Sequence, residues 1–298
     1  MRVTFNSQYQ DTTAAVETTS EQLLDAQRRV ATGKRIGKIS DDPTAAATSV
    51  AERSALAQVD QYDRSADSVA SRLAVVDTVM SDIVSKITSA QSIATAARGT
   101  TATAAQRAAL ALELGGVRDA LLDDMNTTLH GRYLFSGAAV TTKPYTVTPP
   151  ATVPAFVGSN NAVRADVGSD RSVTIAFDGQ AITQGTDPQD LFTTLDQLIT
   201  AINAGDNTAI GTGLADLQRG FERATAAQTR VGSDLALIDV QKLRLQQMKL
   251  SGGERLAALE DVNMAEAITE MQHADAAYRA ALGAVGTASR VSLMDYLK

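Results

Sequence analysis

Two histidines, His130 and His273, are the only imidazoles in 298 residues, and there is no cysteine. A metal centre needs three or four imidazole, thiolate or carboxylate ligands at fixed spacing. Neither histidine has such neighbours. His130 falls at the end of a predicted helix, where a solvated histidine is the ordinary case. His273 lies beside an alanine series on the last predicted helix and is expected at its surface. The paired carboxylates Asp41-Asp42 and Asp123-Asp124 are adjacent only in sequence. Successive residues on a helix point in different directions, so neither pair converges for acid–base work. The glycine-rich run SGGERLAAL, residues 251–259, lacks the Gly-Lys-Ser/Thr of a phosphate loop. GTGLADL, residues 211–217, has two glycines without an upstream strand or a third glycine, and reads as the start of a helix. No Gly-x-Ser-x-Gly elbow is present. The residue types therefore point away from an enzyme: no catalytic, cofactor or metal site is expected.

What remains is a chain whose pattern, not its chemistry, carries the information. Aromatic residues make up 4% and tryptophan is absent, while alanine is abundant. Such cores suit helices packed close together. The net charge of −7 is spread over mixed acidic and basic residues with no lysine/arginine block, so nucleic acid is not an expected partner. No stretch approaches the roughly 20 apolar residues that span a bilayer, and no membrane partner is expected. The N-terminus MRVTFNSQYQDTTAAVETT lacks the apolar segment of a cleaved secretory signal. That fits either a cytoplasmic chain or export by a route that leaves the N-terminus intact.

Helical heptads dominate. In the first segment Tyr9, Val16, Leu23 and Val30 recur every seven residues, with Phe5, Thr12, Thr19 and Ala26 at the complementary position. A second segment, Thr44 to Arg98, has no glycine or proline. Its a series is Val59, Ala66, Leu73, Met80, Ile87 and Ala94, and its d series is Tyr62, Val69, Val76, Ile83, Ala90 and Ala97. A third helix is predicted over Ala104 to Leu129, with Leu110, Leu114, Val117 and Leu121 on one face. Gly115-Gly116 inside it implies close helix approach or a kink. A fourth is predicted over Leu214 to Met248, with Leu217, Ala224, Val231, Ile238 and Leu245 at d and a mixed a series. The last segment places Met264, Met271, Tyr278 and Val285 at a and Ala267, Ala274, Ala281 and Ala288 at d.

Between these, residues 141–185 hold Pro144, Pro149, Pro150 and Pro154, and Val173, Ile175 and Phe177 alternate as in a half-buried strand. FDGQ, residues 177–180, reads as a turn, and a short helix is predicted over Pro188 to Ala204. HGRYLFSG, residues 130–137, sets Tyr133, Leu134 and Phe135 between glycines, a strand or turn packing against helices. The expected fold is mainly α: an elongated antiparallel helical rod with a small β-rich insertion at its far end. The boundaries are 1–42 for a terminal helix and joint, 43–140 and 188–253 for the rod, 141–187 for the insertion and 254–298 for the C-terminal helix. ATGKRIGKISDDPTAAA, residues 31–47, interrupts the helices firmly. Asp42 is expected as N-cap with Pro43 at the first helical position, Asp41 beside it, and Gly33 or Gly37 ending the preceding helix. An ordinary helix–loop–helix corner and a joint that frees the terminal heptads both fit this stretch.

These motifs together resemble the flagellin family, and within it the subunits at the hook–filament junction rather than those of the filament. The carriers are ATGKRIGKISDDPTAAA, HGRYLFSG, NMAEAITEMQ at 263–272 and SRVSLMDYLK at 289–298, in the family's order. The resemblance implies a structural subunit exported unfolded by a type III apparatus to the flagellum outside the cell. Its implied partners are further copies of the chain in a ring, a neighbouring hook-associated protein, flagellin and an export chaperone. It also implies an assembly interface. In it Phe5, Tyr9, Val16, Leu23 and Val30 pack with Met264, Ile268, Met271, Tyr278, Leu282 and Val285, and Gly33, Gly37, Asp41, Asp42 and Pro43 form the joint. A short flagellin and a signalling coiled coil are the alternatives.

Overall fold

A computed structural model describes residues 5–99, 102–147 and 153–296, with side chains described over 10–99, 102–147 and 153–287. The chain is mainly α. The described elements run α1 (Phe5–Thr32), α2 (Pro43–Ala97), α3 (Ala104–Met125), β1 (Thr128–Leu129), β2 (Arg132–Tyr133), β3 (Tyr145–Thr146), β4 (Ala155–Phe156), β5 (Val163–Gly168), β6 (Arg171–Ala176), α4 (Gly179–Thr183), α5 (Leu191–Ala204), α6 (Asn207–Glu260) and α7 (Met264–Tyr296). The strands form three separate antiparallel pairs, β1–β2, β3–β4 and β5–β6. The contacts divide the chain into two compact units: residues 1–58 with 247–298, and residues 59–246.

In the second unit the heptads set the core. Every a residue of α2 from Val59 to Ala94 is buried, and so is every d residue except the half-buried Tyr62. All five d residues of α6 named from the heptads are buried, while its a series is half-covered. A residue on the seam of a helix returns to the same side every 3.5 residues, so seven-residue spacing fixes burial before any partner is known. α3 packs on α5. It begins at a capping box, in which Thr103 accepts from the Gln106 amide and the Gln106 side chain accepts from the Thr103 amide.

Several expectations need correction. α3 ends at Met125 with Asn126 as C-cap, not at Leu129. Thr128-Leu129 instead pairs with Arg132-Tyr133 across a two-residue turn, His130-Gly131. Both turn residues take positive φ, 51° and 74°, which suits the twist of a tight hairpin. Gly115 and Gly116 are not sites of close approach, because a Cβ on either would meet nothing within 4 Å. α6 starts earlier and ends later than its heptads indicated. Asp206 accepts from the amides of Thr208 and Ala209 and so caps it at 207, and it runs on through SGGERLAAL to Glu260. Gly252 sits 2.6 Å from Leu56 Cδ2 when given a Cβ, so α6 keeps a glycine there for α2. α5 begins at Leu191, because Asp190 caps it by accepting from the Thr193 amide.

The β-rich part is small and tied down. Val173 and Ala176 are the buried residues of β6, with Ile175 only half-buried. Register shifts between Val163 and Arg164, and that irregularity breaks the simple alternation. Ser65 donates to the Asp166 carbonyl at 2.7 Å and Arg72 donates to the Ile175 carbonyl, so the β5–β6 hairpin lies against α2. Leu134 and Phe135 are fully buried. Around them Tyr145 stacks tilted on Phe156 and Phe192, with ring centroids 5.4 and 5.0 Å away, and shares a 2.7 Å hydrogen bond with the Thr183 hydroxyl. Burial pushes the Tyr145 phenol well above its ordinary range. FDGQ is a helix start: Asp178 caps α4 through the Gln180 amide.

Candidate functional site

The first unit holds the residues that the sequence singled out. α1 and α7 pack along each other. They leave a common base: Gly33 accepts from the Val262 amide at 3.0 Å, and the Glu260 carbonyl accepts from the Arg35 amide at 2.6 Å. Lys34 and Asp261 thereby form an antiparallel bridge between two segments far apart in sequence. Gly33 turns the chain at the end of α1 with φ +66°, a conformation glycine adopts without strain. Its amide still closes on the Arg29 carbonyl, which finishes the helix.

The other joint residues each have a local task. Asp41 accepts from the Lys38 and Gly37 amides at 2.8 and 2.9 Å, folding the loop back on itself. Those two bonds, led by Lys38, hold its carboxyl below the usual range. Asp42 accepts from the Ala45 amide at 3.0 Å and caps α2, with Pro43 as its first residue. That bond first, and Arg35 after it, lowers the Asp42 carboxyl. Gly37, unlike Gly33, does not take a positive φ. A Cβ there would come 3.1 Å from Arg28 Nε, so it marks close passage of the loop over α1.

Sequence reasoning missed the centre of this joint, Glu260. It is 3% exposed, yet its Oε2 accepts from Lys34 Nζ at 2.8 Å and Arg53 Nη2 at 2.6 Å. Arg35 adds a bond to the Leu259 carbonyl at 3.0 Å. The Arg53 hydrogen bond, with help from Lys34 and the nearby Ser49, outweighs burial and holds the Glu260 carboxyl down at about 2. Glu260 Oε1 is buried without a partner. A lone glutamate near the end of a helical pattern gives no sign of this, because its partners come from other segments of the chain.

The expected interface residues divide into three groups. The backbones of Phe5 and Tyr9 lie in α1, but their side chains lie outside the described residues, as does that of Ala288. Val16, Leu23 and Val30 on α1, and Met271, Tyr278 and Val285 on α7, are half-buried. Ala26 and Ala267 are buried, so the closest part of the pair is built on alanine. Met264, Ile268 and Leu282 stay 44%, 40% and 46% exposed. The Arg29–Glu270 ion pair at 3.0 Å joins the two helices near their base. Among the described residues no group of three His, Cys, Asp or Glu is placed to hold a metal. None of the described helices is long and apolar enough to cross a membrane.

Residues 3–140 match the model of the bacterial flagellin N-terminal helical region. Flagellar hook-associated protein 3 of Escherichia coli strain K12 is 30% identical over 183 residues, 61% of this chain and 56% of that protein. The match thus spans little more than half the length of that relative. Flagellar hook-associated protein 3 of Salmonella typhimurium is 27% identical over 215 residues, 68% of this chain and 67% of the relative. Among solved structures, FlgL of Xanthomonas campestris superposes with a TM-score of 0.62 at 15% identity, covering 69% of this chain and 99% of that one. At that identity the likeness is one of fold.

Proposed function

We propose that this chain, related in sequence to Flagellar hook-associated protein 3, is a structural subunit of the bacterial flagellum, at the junction of hook and filament. It acts outside the cell, and it works by packing rather than by catalysis. The observation that carries the reading is the α1–α7 pair. Its buried contacts are Ala26 and Ala267, while Met264, Ile268 and Leu282 remain open on α7. Apolar side chains at helical spacing on a paired helix gain free energy when a further helix covers them, roughly 25 cal/mol per Å² of apolar surface removed from water. Copies of the same chain and neighbouring flagellar subunits present such helices. The interface is then Phe5, Tyr9, Val16, Leu23 and Val30 with Met264, Ile268, Met271, Tyr278, Leu282 and Val285, packed within and between subunits. Gly33, Gly37, Asp41, Asp42 and Pro43 form the joint that lets the pair adjust as subunits meet. Before assembly the exposed stripe needs a cover, and an export chaperone would supply it.

The test is deletion of the gene, with electron microscopy of the cells and an assay of the medium for flagellin. Bare hooks with flagellin shed into the medium are expected. Hooks with normal filaments would overturn the junction reading. Loss of filament with no flagellin anywhere would make this chain the filament protein instead.

A further inference from the structure

We infer that Glu260 is a latch which couples the ordering of α1 to that of α7, so that the two terminal helices dock and release together. The geometry has a fixed half and a movable half. Arg53 belongs to α2, whose first turns pack against the end of α6: Arg255 pairs with Glu52 at 3.1 Å, and Gly252 meets Leu56. It is the donor to Glu260 that does not come from the segment leaving α1. Lys34 belongs to the segment that leaves α1, and its ammonium adds the second charged donor only when that segment lies in the bridge.

Three features make the carboxylate depend on Lys34. It is buried, so water supplies little of the missing solvation. It stands at the C-terminal end of α6, where the carbonyl ends of the helix repel a negative charge. Its Oε1 has no donor, so the two cations on Oε2 carry the compensation. The backbone bonds Arg35 to Glu260 and Val262 to Gly33 flank the same carboxylate. When Lys34 leaves, both go with it, and α1 and α7 lose their common base in one step. Without the carboxylate, Lys34 and Arg53 would face each other as like charges, and the latch would become a repulsion. The inference concerns the single chain and does not depend on what that chain assembles with.

Hydrogen exchange on the full-length monomer tests it. Glu260→Gln is expected to speed exchange of the α1 and α7 amides together, by roughly 10- to 100-fold, the worth of a hydrogen bond to a charged group. Amides of residues 59–97 are expected to keep their protection. Lys34→Met should speed the same two helices together but less, because Arg53 still holds the carboxylate. Adding Lys34→Met to Glu260→Gln should slow exchange relative to Glu260→Gln alone, since it removes the repulsion. Deprotection of α1 with α7 unchanged, or no change in either, overturns the coupling. If Glu260→Gln does not fold, Lys34→Met decides by the same comparison.

Discussion

Glycine-to-alanine replacement should act in opposite directions at two helical sites, and the structure gives both signs. Alanine in place of glycine inside a helix gains about 1 kcal/mol from backbone entropy alone. In α3, a Cβ on Gly115 or Gly116 meets nothing within 4 Å, so the full gain is available. The double variant should gain about 2 kcal/mol, which for a unit of this size raises Tm by roughly 4–8 °C. In α6, a Cβ on Gly213 would lie 2.5 Å from both Cγ and Cδ2 of Leu198. Leu198 is 1% exposed, so it has no free space to turn into. Overpacking costs about 1–3 kcal/mol. Set against the same helical gain, Gly213→Ala should be neutral to destabilising by about 2 kcal/mol. Both sites lie in the unit of residues 59–246. Thermal unfolding followed at 222 nm, with urea unfolding as a second measure, compares them directly. If both variants shift Tm by the same amount in the same direction, the geometric argument fails and backbone entropy alone decides.

Acid should release the joint late. The Glu260 carboxyl is lowered from an ordinary 4.5 to about 2, so its contribution is full above pH 4.5 and fades as pH falls through about 2. The shift corresponds to at most about 3 kcal/mol, cut to roughly 1–2 by the solvent around the half-exposed Lys34 and Arg53; a carboxyl carbon NMR titration of Glu260 with a midpoint near 4.5 would refute it. Met271→Asp, at the half-buried centre of the α7 stripe, should abolish assembly while leaving the circular dichroism of residues 59–246 intact; polymerisation at the wild-type rate would count against the proposed interface. Tyr145→Phe removes the bond to Thr183 inside a buried ring cluster, and urea unfolding should register a loss of about 1 kcal/mol.

Much of the helical organisation could be read from spacing. Leu73, Met80 and Ile87 are buried because heptad repetition alone brings them to one side of a helix, whatever stands opposite. The start of α2 was equally readable, because Asp42 and Pro43 act within one helical turn of themselves. Glycine was read less well. Gly115-Gly116, which suggested close approach or a kink, faces open space, while Gly252, in a glycine-rich run beyond the predicted end of the fourth helix, lies inside α6 against Leu56. The end of α3 was misplaced because Thr128-Leu129 continues the apolar pattern but finds a strand partner three residues on.

The sequence by itself determined the helices, their seams, the position of the interruption near Pro43 and the lack of metal-binding and nucleophile motifs. Each follows from periodicity or from groups a few residues apart, and local geometry is fixed by local covalent chain. Only the tertiary structure decided that Glu260 would be buried between Lys34 and Arg53, 226 and 207 positions away, or that α1 and α7 would share one base. A charge can be taken out of water only where opposite charges arrive from elsewhere in the fold, and nothing in the spacing of either segment records which ones will come.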